Sequence, residues 1–140
     1  ERVSRIQVND VYVRLKMLEN NEMDAMLLTE PQATQALLKK HKVLLDTRKE
    51  DIQMGVIAFR EKGMDDQNRK KQKEVFLKGY NDACDSINKF GVRHYKDVIR
   101  KYYTISEPAL KSLPDTLKYN HAEAPRQKDV ERAQQWLSKK

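Results

Sequence analysis

The order of strand-like and helical patterns is the feature that most constrains the fold of this chain. Short apolar segments that fit strands lie near 2–8, 24–28, 43–46 and 52–59. Helical patterns follow the first, second and fourth of these segments, near 10–20, 31–40 and 66–90. The second half adds further helices, the last over 128–140. This alternation predicts an α/β structure with a mostly parallel sheet flanked by helices, followed by C-terminal helices.

Composition limits the class of protein. The chain has 140 residues, enough for one domain, and no stretch approaches the roughly 18 apolar residues of a membrane span. The net charge of +7 is compatible with an anionic ligand, an acidic partner or nucleic acid. The densest basic run, 69–73, opens a predicted helix and fits a solvated helix face. A nucleic-acid binder should interleave base-stacking aromatic residues with its basic residues, and the sequence contains no RNP-like, zinc-finger or KH pattern, so we expect no nucleic acid partner.

The sequence contains no recognisable catalytic pattern. Glycine occurs only four times, so there is no glycine-rich phosphate loop, and the three histidines follow no metal-ligand spacing. The single cysteine, Cys84, lies at an apolar helical position and fits a buried, inert thiol. We therefore predict no catalytic residues, no metal site and no cofactor.

Candidate ligand contacts lie where the predicted strands meet the following elements. Ligands of open parallel sheets bind beyond the carboxyl ends of the strands, and a helix N-terminus there offers free N–H groups. The alternative is a purely structural role, in which Thr29 or Glu30 only caps a helix that begins with Pro31. The predicted ligand-binding residues are Asn9, Asp10, Thr29, Glu30, Pro31, Gln32 and Gln53.

Five ordered segments carry a family resemblance: 18–31, 42–46, 53–57, 76–83 and 129–137. Together they resemble the solute-binding proteins of ABC importers for nitrate, sulfonates, taurine and the pyrimidine precursor of thiamine. The resemblance implies a type 2 periplasmic-binding-protein-like lobe. Residues 1–140 would form the second lobe and the C-terminal helices of a two-lobe protein whose N-terminal lobe is missing.

The same resemblance implies a function. We expect a periplasmic or otherwise extracytoplasmic component, with a lipid anchor as one option in the full-length protein. It would bind a sulfonate- or nitrate-type oxyanion, or a thiamine pyrimidine precursor, and deliver it to a membrane permease. Two alternatives stay open. One is an enzyme similar to the synthases of the thiamine pyrimidine precursor, and the other is a basic module that binds nucleic acid.

Overall fold

A computed structural model describes residues 3–47, 49–50, 53, 55–60 and 66–138. All regular structure in these ranges is helical. The helices are α1 (Val11–Glu19), α2 (Gln32–Leu38), α3 (Gln67–Phe90), a 3₁₀ turn (Val92–Tyr95), α4 (Lys96–Tyr102), α5 (Glu107–Ser112) and α6 (Gln127–Ser138).

The predicted α/β fold is wrong for the described residues, and with it the parallel sheet and the periplasmic-binding-protein-like lobe built on that sheet. The described parts of the four strand-like segments have no strand structure, and residues 2, 52 and 54 lie outside the described residues. Their apolar side chains are largely exposed, including Val3 at 85% and Leu44 at 85%. A strand is stabilised by pairing with neighbours and by burying one face, and these segments do neither within the described residues. Short apolar runs alone therefore did not specify a sheet.

The predicted helix ends agree well with the structure. Asp10 caps α1, with its Oδ1 accepting from the N–H groups of Tyr12 at 2.7 Å and Val13 at 3.1 Å. Asn21, just past α1, adopts a left-handed conformation with φ of 59°. Gly91, just past α3, also has a positive φ, of 80°, which favours glycine. Each residue type matches the local backbone demand, which explains why these boundaries were predictable.

The amphipathic pattern over 92–103 predicts one continuous helix, and the structure interrupts it. Residues 92–95 form the 3₁₀ turn, and α4 begins only at Lys96. Ser106 then caps α5, with its hydroxyl accepting from the N–H of Ala109 at 3.4 Å.

The chain divides into two compact units. Unit 1 comprises Glu1–Val43 and Phe90–Leu117. In it α2 packs against α1 and α5. These helices surround the buried side chains of Leu15, Ala36, Ala109, Leu110 and Leu113. Unit 1 therefore has a small apolar core.

Unit 2 comprises Leu44–Lys89 and Lys118–Lys140. Here one face of α3 holds a segment without regular structure, residues 119–122, which we call the strap. The side chain of Asn88 bonds both backbone groups of Tyr119, donating to the carbonyl at 2.8 Å and accepting from the N–H at 3.0 Å. Asn81 accepts from the N–H of Ala122 at 2.9 Å. Side-chain bonds to backbone thus fix the strap on α3.

Candidate ligand-binding site

Asp10 and Asn9 occupy the start of α1, as predicted, but their polar groups serve local structure. The Asp10 carboxylate is engaged by the two N–H groups of the first turn. The Asn9 side chain is exposed and accepts from Gln7 Nε2 at 3.1 Å. The acceptor atom of Asp10 used for capping satisfies N–H groups that would otherwise lack partners.

Glu30 caps α2. Its Oε2 accepts from the N–H of Thr34 at 3.1 Å and from the Thr34 hydroxyl at 2.7 Å. Thr34 is 3% exposed, so this pair is largely shielded from water. Thr29 is exposed, and its carbonyl accepts from the N–H of Ala33 at 3.0 Å. Capping therefore belongs to Glu30, while the Thr29 side chain faces solvent at the same junction.

Gln32 is the unusual residue of the junction. Its side chain is fully buried, next in sequence to the buried Pro31. Neither Oε1 nor Nε2 has a hydrogen-bond partner among the described residues. A buried polar group without a partner costs about 1–3 kcal/mol, and native proteins usually satisfy such groups with protein, water or ligand. The Gln32 amide thus has unused bonding capacity of two donors and one acceptor.

Arg14 is a polar residue at this place that the sequence patterns did not single out. Its Nη1 donates to the carbonyl of Leu27 at 2.9 Å, which ties α1 to the segment that enters α2. Its Nε is buried and has no partner among the described residues. The sequence offered one clue to this role, a charged residue next to an apolar one, Leu15. In the structure Leu15 is buried and their helix packs on α2.

Gln53 belongs to a different unit of the chain from the other predicted residues. It is exposed and belongs to unit 2, whereas the other six predicted residues belong to unit 1. Residues 51, 52 and 54 around it lie outside the described residues.

We call Arg14, Thr29, Glu30, Gln32 and Thr34 the polar junction. Its unused groups are the Gln32 amide and the Arg14 Nε–H. Amide and guanidinium groups do not transfer protons near neutral pH, so their chemistry here is hydrogen bonding to a polar or anionic group. Hydrogen bonding is therefore the chemistry that these unpaired groups can supply.

Metal ligands, the cysteine and membrane-spanning helices can be described for the part of the chain that the structure covers. No group of three or more His, Cys, Asp or Glu side chains there could hold a metal ion. Cys84 is 3% exposed, in agreement with the expected buried thiol. No described helix is both long and apolar enough to cross a bilayer.

Comparison with known proteins adds no relative. No family model matches the chain, and no curated protein or solved structure is significantly similar to it.

Proposed function

We propose that this chain captures a small polar or anionic solute for an ABC importer, and that the polar junction supplies part of the hydrogen bonding. The observation that carries the proposal is the buried Gln32 amide, whose polar atoms have no partner among the described residues. The ordered sequence resemblance supports the importer role. The membrane permease, the extracytoplasmic location and the N-terminal lobe are parts of the same proposal.

Solute binding gives a physical reason for keeping an unpaired amide. A solute oxygen can accept from Nε2, and a solute donor can bond Oε1. Since Gln32 is fully buried, the solute must displace neighbouring groups to reach it. The stabilisation lost in the free protein would then be recovered on binding.

The affinity of the 140-residue chain should be low. Pockets for small ligands usually enclose 70–90% of the ligand surface, and we propose that part of the enclosing surface lies outside these 140 residues. We expect dissociation constants of about 1 mM or weaker for sulfonates, nitrate and aminopyrimidines, measured by calorimetry. Micromolar binding by this chain alone would contradict the proposal that a complete site needs further protein surface.

Replacing Gln32 by methionine tests the proposed role. Gln32→Met keeps the side-chain length and removes both polar atoms. We expect the free energy of unfolding to rise by about 1–2 kcal/mol, because the unpaired amide is gone. Solute affinity should fall roughly tenfold, the equivalent of one hydrogen bond.

The matched control is Gln72→Met, at an exposed position on α3 in unit 2. It should change neither affinity nor stability. Unchanged affinity in Gln32→Met, together with higher stability, would show that Gln32 is only an unsatisfied core residue and would remove it from the site.

Thr29 and Glu30 separate binding from capping. Thr29→Ala should weaken solute binding by roughly 1–2 kcal/mol and leave stability unchanged, because this side chain is exposed. Glu30→Ala should lower the free energy of unfolding by about 1 kcal/mol through loss of the cap. Equal affinities in wild type and Thr29→Ala would exclude Thr29 as a contact.

A further inference from the structure

A groove in unit 1 is lined mainly by basic side chains. It has a volume of about 220 Å³ and lies between the 92–102 region and α5. Its lining residues are Arg93, Lys96, Arg100, Glu107, Leu110 and Lys111. None of the residues predicted from sequence or belonging to the polar junction is among them.

Two arginine bridges frame the groove. Arg93 Nε donates to Asp115 Oδ1 at 2.7 Å, and its Nη1 donates to the Lys111 carbonyl at 3.0 Å. Arg100 Nε donates to Glu107 Oε1 at 2.9 Å. The hydrogen bond to Glu107 raises the pKa of Arg100 above its ordinary value. Both guanidinium groups are thus held in place by carboxylates, and they hold α5 against the 92–102 region.

The two lysines differ from the arginines. Lys96 and Lys111 approach the groove from α4 and α5, and neither ammonium group has a carboxylate partner among the described residues. Asp97 accepts from Arg100 Nη1 at 2.9 Å and is 82% exposed. Its carboxylate therefore offsets part of the positive charge of Arg100. Leu110, 3% exposed, provides an apolar part of the wall. The groove is therefore lined by two lysines without a carboxylate partner among the described residues, two arginines paired with carboxylates, and Glu107, the partner of Arg100.

We infer that this groove binds a small doubly charged oxyanion of the phosphate-monoester class. Two unpaired ammonium groups match an ion of charge −2, and the fixed guanidinium groups offer further N–H donors without a new ordering cost. A volume of about 220 Å³ is below the roughly 300–1,000 Å³ of drug-sized sites. The site is separate from the polar junction and does not depend on the solute proposed above.

The test is a nuclear magnetic resonance titration of the 140-residue chain with inorganic phosphate at constant ionic strength. The reporters are the Nε–H signals of Arg93 and Arg100 and the backbone amides of α4 and α5. Phosphate and sulfate should shift these signals with saturation, and chloride should not. Equal shifts from chloride would overturn the inference, because they would show only screening of charge.

Charge variants locate the site. Lys96→Gln and Lys111→Gln should each weaken phosphate binding roughly fivefold, and Lys96→Arg should retain it. The control Lys70→Gln makes the same charge change on α3 in unit 2 and should have no effect. Equal weakening by all three glutamine variants would overturn the site in favour of a net-charge effect. If a short single-stranded oligonucleotide binds through these residues and phosphate does not, the inferred small-ion ligand is wrong and the ligand is a nucleic acid.

Discussion

Units 1 and 2 are held together by different kinds of interaction. In unit 1, three helices bury leucine and alanine side chains against each other. In unit 2, Cys84 is the one hydrophobic side chain that is buried among the described residues, and polar side chains of α3 hold the strap. Burial of apolar surface contributes most of the stability of a fold, whereas one net hydrogen bond contributes about 1 kcal/mol. Unit 1 should therefore carry most of the stability.

The difference also bears on where a ligand can bind. A packed core holds polar groups such as Gln32 in fixed positions, which lowers the cost of ordering them around a solute. Both candidate sites, the polar junction and the basic groove, belong to unit 1. Unit 2 offers a segment without regular structure fixed on a helix, an arrangement that specifies local geometry with little apolar burial.

The largest expected contrast comes from matched leucine truncations. Leu15→Ala in unit 1 removes a side chain that is 4% exposed, and it should cost about 2–5 kcal/mol in urea unfolding. Leu137→Ala on α6 removes one that is 61% exposed, and it should cost less than about 0.5 kcal/mol. Similar losses in the two variants would break the comparison.

The strap gives the next contrast. Asn88→Ala removes two hydrogen bonds to Tyr119 and should cost roughly 1–2 kcal/mol. The amide protons of Tyr119 and Ala122 should then exchange faster with solvent. Asn120→Ala is the control, because among the described residues Asn120 bonds α3 through its backbone carbonyl, which accepts from the Cys84 thiol and is kept in the variant. Unchanged exchange in Asn88→Ala would show that other contacts hold the strap.

Helix capping should have a smaller effect that differs between the units. Asp10→Ala removes the cap of α1, a helix in the core of unit 1, and should lower the free energy of unfolding by about 1 kcal/mol. Asp66 accepts from the N–H of Asn68 at 2.8 Å at the start of α3. Asp66→Ala should mainly fray that exposed first turn, seen as faster amide exchange there. A larger global loss in Asp66→Ala would contradict this ranking.

The smallest expected effect concerns alkaline pH in unit 2. Partial burial, and next a hydrogen bond with Cys84, raise the pKa of Tyr80 above its ordinary value of about 10. The folded chain therefore binds more protons than the unfolded chain above pH 10, so the free energy of unfolding falls as pH rises through that window. Tyr80→Phe should reduce this fall, whereas Tyr102→Phe, on a residue 68% exposed in unit 1, should not. An identical alkaline fall in all three proteins would remove Tyr80 as its source.

Local sequence chemistry predicted the helix ends, because a cap or a left-handed residue acts within a few positions. Asp10, Asn21 and Gly91 are examples. Whether an apolar segment joins a sheet could not be decided in the same way, since strand pairing depends on distant segments. An apolar run such as 43–45 has the same local pattern whether it pairs with a strand or, as here, stays exposed.

The candidate site was predicted in part. The junction 29–32 was identified from capping signals, and the structure shows Glu30 in the capping role and Gln32 buried. Arg14 was missed because its role depends on a contact with the carbonyl of Leu27, 13 positions away. The basic groove was missed for a similar reason, since its charges become neighbours only when α4 and α5 fold together.

The side-chain amide signals of Gln32 show most directly whether this residue contacts a bound solute. In a nuclear magnetic resonance titration with a sulfonate, nitrate or an aminopyrimidine at millimolar concentrations, our account predicts that the Nε2 protons of Gln32 shift and exchange more slowly with water for at least one solute. The backbone amides of the polar junction should shift at the same concentrations. If every solute leaves the Gln32 signals unchanged while other residues respond, Gln32 is not part of a solute site and the proposed function loses its structural support.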